Sequence, residues 1–356
     1  MNAGAGLGTA LRLFLSERRM DGMKYICCLL AAMVLLLLCS GCSAKETAEP
    51  PTDPVVMKLI LAQEAAKVNY VEGETFDPTG LIVNAKMSDG TVVENVPFTL
   101  EVDTPLTRTT LYAVLRYEGK TVNQQLRITL LGNDEQYSAA NMQYVPGSAL
   151  EGKLFYWLGS SVTYGASACG ESMADFLAKR DGAVCIKEAV SGTTLADVKK
   201  ESYVQRFISY LLSEGCAKHV DAFICQLSTN DRNMPESFGT VSGEQVREPE
   251  AFDCAMTFGA IEYIIAKVQE VWGCPVLFYV NPPLDENYET MVNGLEQIAQ
   301  KWGIQIVDMY HDAEFNHLTE DQRSLYMADA IHPTRAGYRD WWLPKFEEAL
   351  ELAVNP

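Results

Sequence analysis

Acyl transfer through a covalent intermediate needs a nucleophile, a base near neutral pH, an acid to orient that base, and donors for a developing oxyanion. This sequence offers residues of those types at four separate places. "YWLGSSVTYG", residues 156 to 165, is an apolar run that ends in Gly and passes into Ser160 and Ser161, either of which could be a nucleophile. "EAVSGTT" holds Gly192, "QLSTND" holds Asn230, and "MADAIHPTRAGY" holds Asp329 three residues before His332. That spacing lets the acid lie on the same side of one turn as the imidazole, accept its ring proton and fix its tautomer. Taken singly, each stretch is ordinary. Gly-Ser-Ser reads as a loop, Thr-Asn-Asp as a turn or helix cap, Gly192 as a tight turn, and "DAIHPT" as the start of a last helix with Thr334 as N-cap. The serines come early in the chain and the acid and base late, so only the fold can join them.

The elements that must do so are legible from residue 154 onward. "LFYWL", "AVCIKEAV", "VDAFICQLS", "PVLFYVN" and "IQIVDMY" are five short, apolar, β-rich runs. Helical segments are expected between and after them, at 172–180, 194–214, 253–272, 285–302 and 335–353. In the third, Met256, Ala260, Ile261, Ile264, Ile265 and Val268 recur at three- and four-residue spacing and make one apolar face. Near-continuous apolar strands alternating with helices predict a parallel sheet covered on both faces. Ligands in such sheets bind beyond the carboxyl ends of the strands. The first three motifs close the first three strands, and the fourth follows the fifth strand after a short helix.

In that order, the four motifs resemble those of the SGNH hydrolases, also called GDSL-type esterases, over residues 154 to 354. The resemblance implies a three-layer α/β/α fold with a five-stranded parallel sheet, flavodoxin-like, and a serine esterase that uses no cofactor and no metal. It implies a nucleophile at Ser161 in Gly159-Ser160-Ser161, with Ser160 standing where the family has Asp. Gly192 matches the second-block glycine, a backbone oxyanion donor. Asn230 in "STND" matches the side-chain donor, with Ser228 in place of the family's Gly. "DAIHP" supplies the acid Asp329 and the base His332 without departure. The Ser161 and Gly192 N–H groups and Asn230 would then form the oxyanion hole. The turn is not a G-x-S-x-G elbow, since Thr163 stands at the second Gly.

Other features bound the reading. The chain has 356 residues, is 48% hydrophobic and carries a net charge of -19, which argues against a nucleic-acid partner. "SERRMDGMK" followed by "YICCLLAAMVLLLLCSGC" has the layout of an export signal. Ending at Cys42, it resembles a bacterial lipoprotein signal, which implies an extracytoplasmic protein held to the membrane by a lipid on Cys42, translated from Met20 or Met23. The expected organisation is a signal over 1–42, a flexible tether over 43–54, an all-β domain over 55–131, a linker over 132–153 and the hydrolase domain over 154–356. Short β-prone runs and turn signals over 55–131 predict a small sandwich, with Leu81, Val83, Ala85 and Met87 on the buried face. "YVEGETFDPTGLIVNAKMSDGT" resembles bacterial Ig-like domains, which implies a spacer.

Cys185 and Cys225 read as small core hydrophobes. His311, Asp312 and His317 read as a solvated loop more than a metal site, Asp308 as structural, and residues 232–253 as a pocket wall that selects substrate. Trp341 and Trp342 point to different faces of the last helix, one into the core and the other toward the active-site edge. The expected substrate is a small acyl ester, acetyl foremost, on a carbohydrate. Lysophospholipid or thioester hydrolysis is the alternative within the same chemistry. An inactive surface glycan-binding lipoprotein, or an adhesin working through the Ig-like domain, are the alternatives from other classes.

Overall fold

The structure, a computed structural model, describes residues 53–355. The expected signal, Cys42 and residues 43–52 of the tether lie outside them. From Val56 onward the chain forms one unit.

Its first part is built from strands. β1 (Val56–Gln63), β3 (Ile82–Met87) and β4 (Val92–Val93) make an antiparallel sheet. β5 (Thr99–Glu101), β6 (Tyr112–Tyr117) and β7 (Lys120–Gln125) make a second. β2 (Asn69–Val71) pairs in parallel with β8 (Arg127–Thr129). The period-two pattern of β3 does what it predicts: Val83 and Ala85 are fully buried, while Lys86 faces out. They pack with Leu59, Tyr70, Leu106 and Leu115 in one core.

Residues 132–153 run through single-turn 3-10 helices at Glu135–Tyr137 and Ala139–Asn141. Ala139 and Leu150 from this stretch are buried in the core of the following layer. Five parallel strands then form one sheet: β9 (Leu154–Gly159), β10 (Val184–Ala189), β11 (Ala222–Gln226), β12 (Val276–Val280) and β13 (Gln305–Asp308). Their order is β10-β9-β11-β12-β13, which is the flavodoxin-like arrangement, with its reversal of strand order between β9 and β11.

The alternation within β9 explains the layers. Tyr156 and Leu158 face a cluster built with α3 (Tyr203–Leu211), α4 (Thr257–Val271) and α5 (Glu286–Trp302). Phe155 and Trp157 face the opposite cluster, built with α2 (Met173–Arg180) and α7 (Leu343–Val354). Both faces are dry, hence the continuous apolar strand sequences. α5 shows its limits in sequence. Asp285 accepts from the Tyr288 N–H at its start, and Gly303, at φ 65, ends it in the left-handed conformation.

Two helical expectations need correction. Only Tyr203–Leu211 of 194–214 is helical. Residues 194–202 are irregular because the Leu195 and Ala196 N–H groups donate to the Asp231 carboxylate, leaving Ser202 to cap the helix through Gln205 N. After α6 (Glu320–Tyr326), the last helix is interrupted by a π-helical stretch, Gly337–Trp342, before α7. That stretch directs the Tyr338 hydroxyl onto the Val162 carbonyl at 2.7 Å. Thr334 caps the segment through the Gly337 N–H. Trp342 is fully buried, whereas Trp341 stacks on Phe315 and donates to its carbonyl, so it covers that loop. Among the described residues all six cysteines are free thiols, and no helix is long and apolar enough to cross a membrane.

Candidate active site

Ser161 opens the one-turn helix α1 (Ser161–Tyr164) immediately after β9. Gly159 is forced by the tightness of this turn, since a β-carbon there would lie 1.7 Å from Thr163 Oγ1. The turn is fixed from below by Gln226, the last residue of β11. Its Oε1 accepts from Ser160 N at 2.9 Å, Ser160 Oγ at 3.3 Å and Thr163 Oγ1 at 3.0 Å. Thr163 Oγ1 also meets the Tyr279 hydroxyl at 2.6 Å. Ser160, in the position of the family's Asp, is therefore a fully buried support rather than an exposed alternative nucleophile.

Ser161 is 8% exposed, and its Oγ lies 2.7 Å from His332 Nε2. His332 Nδ1 lies 2.9 Å from Asp329 Oδ2. Asp329 Oδ1 accepts from the N–H groups of Ile331 and His332 at 2.7 and 2.8 Å, which closes the turn and points the carboxylate at the ring. Burial works to raise the Asp329 pKa, but the Ile331 N–H, the His332 ring and the His332 N–H outweigh it and hold the carboxyl below its ordinary value. The acid is thus an anion at neutral pH. The arrangement can take a proton from Ser161 and stabilise the imidazolium that results.

The second group of expected residues lies at the neighbouring strand ends. Gly192 follows β10 with φ 80, a left-handed conformation that suits glycine. Its N–H donates to no group among the described residues. Asn230 follows β11. Its Nδ2 gives one hydrogen to the Thr193 carbonyl at 2.8 Å, and an amide nitrogen carries two. Ser228, in place of the family's Gly, is buried and accepts from the Asn230 N–H at 3.2 Å, so the departure braces that loop.

The sequence reading missed the groups behind the site. Arg206 is 8% exposed. Its Nη2 donates to the Gly159 carbonyl at 2.8 Å and to Thr193 Oγ1 at 3.2 Å, joining the serine strand to the Gly192 turn. Asp231 is fully buried and holds Leu195 N, Ala196 N and Thr257 Oγ1. Burial raises its pKa against the pull of these donors. Asn281 Nδ2 donates to the Ile331 carbonyl at 3.0 Å, inside the turn from Asp329 to His332. The available signal was a polar residue placed at the end of an apolar strand, as in "AFICQ" and "VLFYVN".

His311 sits against Asp308 and Glu296, whereas Asp312 pairs with Lys345, so "YHDAEFNH" is not one cluster. Residues 232–253 are held down along most of their length. Ser242 bonds the buried Glu262–Lys301 pair, and Arg247 donates to the Lys301 carbonyl and lies over Trp302.

No curated protein matches the chain. Among solved structures, a protein from Lactobacillus plantarum is 19% identical with a TM-score of 0.45, covering 57% of this chain and 98% of its own. A member of the lipolytic G-D-S-L family from Veillonella parvula is 14% identical with a TM-score of 0.40, covering 57% and 100%. An acetyl xylan esterase from Geobacillus stearothermophilus is 12% identical with a TM-score of 0.38, covering 56% and 95%. The model of the GDSL-like lipase/acylhydrolase family matches residues 157–339. Because that match spans more than half of the 356 residues and takes in every strand end described above, the chain belongs to the GDSL-like lipase/acylhydrolase family.

Proposed function

We propose that the chain is an extracytoplasmic serine esterase, lipid-anchored at Cys42, that removes small acyl groups, acetyl foremost, from an acylated carbohydrate. The observation that carries the reading is the continuous contact from Ser161 Oγ to His332 Nε2 and from His332 Nδ1 to Asp329. Ser161 Oγ attacks the ester carbonyl as His332 takes its proton, and the carbonyl π electrons move onto oxygen. The Ser161 N–H, the Gly192 N–H and the second Asn230 Nδ2 hydrogen receive that oxyanion. Collapse expels the alcohol, which takes the proton from His332 and leaves an acyl-serine. Water attacks in turn, His332 again acting as base, and the carboxylic acid leaves as Ser161 recovers its proton.

An open rim supports a small acyl group on a large scaffold. The Asp329 side chain is 54% exposed, and Tyr164, beside the serine, is 46% exposed. The signal-like residues 1–42 support the location, and the β-strand region before the hydrolase is read as an Ig-like module. Hydrolysis of p-nitrophenyl acetate and p-nitrophenyl octanoate tests the acyl preference. kcat/KM is expected to favour acetate by at least about tenfold, the scale on which a pocket discriminates chain length. A preference for octanoate would replace this assignment by long-chain lipolysis.

A further inference from the structure

We propose that Arg108 and Asn133, both outside the matched family region, are positioning residues for the turn that carries Asp329 and His332. The proposal rests on the reading of those two residues as acid and base.

The turn is closed by the Ala328 N–H, which donates to the His332 carbonyl at 2.9 Å. The other face of the same residue, the Ala328 carbonyl, accepts from Arg108 Nη1 at 2.7 Å. Arg108 belongs to the loop between β5 and β6, 220 residues earlier in the chain. It does not reach across as a free side chain. Glu72 accepts from its N–H at 3.0 Å, its Nε at 3.3 Å and its Nη2 at 3.4 Å. Glu72 in turn donates its own N–H to the Thr129 carbonyl at 2.7 Å. The guanidinium thus uses one edge on a carboxylate and the other on the turn, an arrangement that its planar fork permits.

Asn133 grips the turn from its other end. It is 8% exposed, and both ends of its amide are used. Nδ2 donates to the Ser167 carbonyl at 2.7 Å, just beyond α1. Oδ1 accepts from the Arg335 N–H at 2.9 Å, three residues after His332. The Asn133 carbonyl also accepts from Arg335 Nη1 at 3.0 Å. One side chain therefore spans the segment behind the serine and the segment behind the base. Ser161 and His332 stand 171 residues apart, so their alignment depends on such cross-ties. A displacement near 1 Å at a reacting centre can cost about 10²-fold in rate.

The test compares Arg108→Ala, Arg108→Lys, Glu72→Gln and Asn133→Ala in the full chain. Two readouts are used. One is kcat and KM for p-nitrophenyl acetate. The other is the low-field proton NMR signal of the His332 ring N–H bonded to Asp329, which needs no turnover. Arg108 is partly exposed, so Arg108→Ala is expected to keep its circular dichroism spectrum. Its kcat is expected to fall about 10- to 100-fold with KM within about twofold, and the ring-proton signal to broaden. Arg108→Lys restores part of the rate through a single bond to Ala328. Glu72→Gln gives a smaller loss, and replaces Arg108→Ala as the decisive variant should that protein not fold. Unchanged kcat and an unchanged ring proton in folded Arg108→Ala and Asn133→Ala would overturn the proposal. If the wild type itself fails to turn over the ester, the esterase reading falls, while the ring proton still decides whether Arg108 and Asn133 hold the turn.

Discussion

Two Asp–His pairs share one local geometry. Asp308 and His311 repeat the spacing of Asp329 and His332. In both turns the Asp Oδ1 accepts the N–H groups two and three residues ahead, and Oδ2 meets the His Nδ1. An Asp-x-x-His turn is therefore a local hydrogen-bonding solution that the backbone adopts readily. Of these two histidines, only His332 meets a serine among the described residues. What sets Ser161 apart is the close packing beneath it, which Gly159 permits. Gly159→Ala is expected to lose about 1–3 kcal/mol in denaturant unfolding through overpacking against Thr163, and to lower turnover of p-nitrophenyl acetate by about 10²-fold as the serine shifts. Wild-type stability and turnover together would show that the Gly159–Thr163 contact is not limiting.

At the scale of elements, the strand order decides where the site falls. The order in which the chain adds strands reverses between β9 and β11, and the serine turn and Asn230 follow those two strands. All five strands were legible because burial on both faces makes each one continuously apolar. The alternating face of β3 was legible for the opposite reason, since one side meets solvent. The irregular 194–202 and the π-helical 337–342 were not. In the first, the Asp231 carboxylate competes for backbone N–H groups from 36 and 35 residues away, a contact that no local window contains. In the second, packing of Tyr338 and Trp342 overrides local preference.

The 232–253 segment teaches the same lesson. Its polarity and turn signals read as a pocket wall, but they do not reveal that a buried Lys301–Glu262 pair on α5 and α4 anchors it. Lys301→Met is expected to cost about 3–5 kcal/mol, because Glu262 is left charged and unpaired in the interior. Amide hydrogen exchange at 240–247 should accelerate with it. A loss under about 1 kcal/mol with unchanged exchange would mean that the segment is held by its apolar contacts alone.

Across the whole molecule, four short motifs separated by up to 171 residues converge at one edge of one sheet. The residue types of the site were legible in the sequence, and so was their order. Their second layer was legible only in part: Gln226 and Asn281 stand out as polar residues closing apolar strands, whereas Arg206, Asn133 and Arg108 reach groups far away in the chain, which leaves no pattern in a sequence. The β-strand region read from sequence as a spacer meets the acid–base turn through Arg108, so the site is supported from beyond the α/β layer. Ser161 is proposed as the nucleophile of a working esterase. That role is tested most directly by treating the full chain with a fluorophosphonate and locating the adduct by peptide mass spectrometry, beside Ser161→Ala and His332→Ala. One adduct is expected, on Ser161, absent from Ser161→Ala and formed at least ~10³-fold more slowly in His332→Ala. No adduct on the folded wild type, or equal labelling of Ser161→Ala, would contradict it.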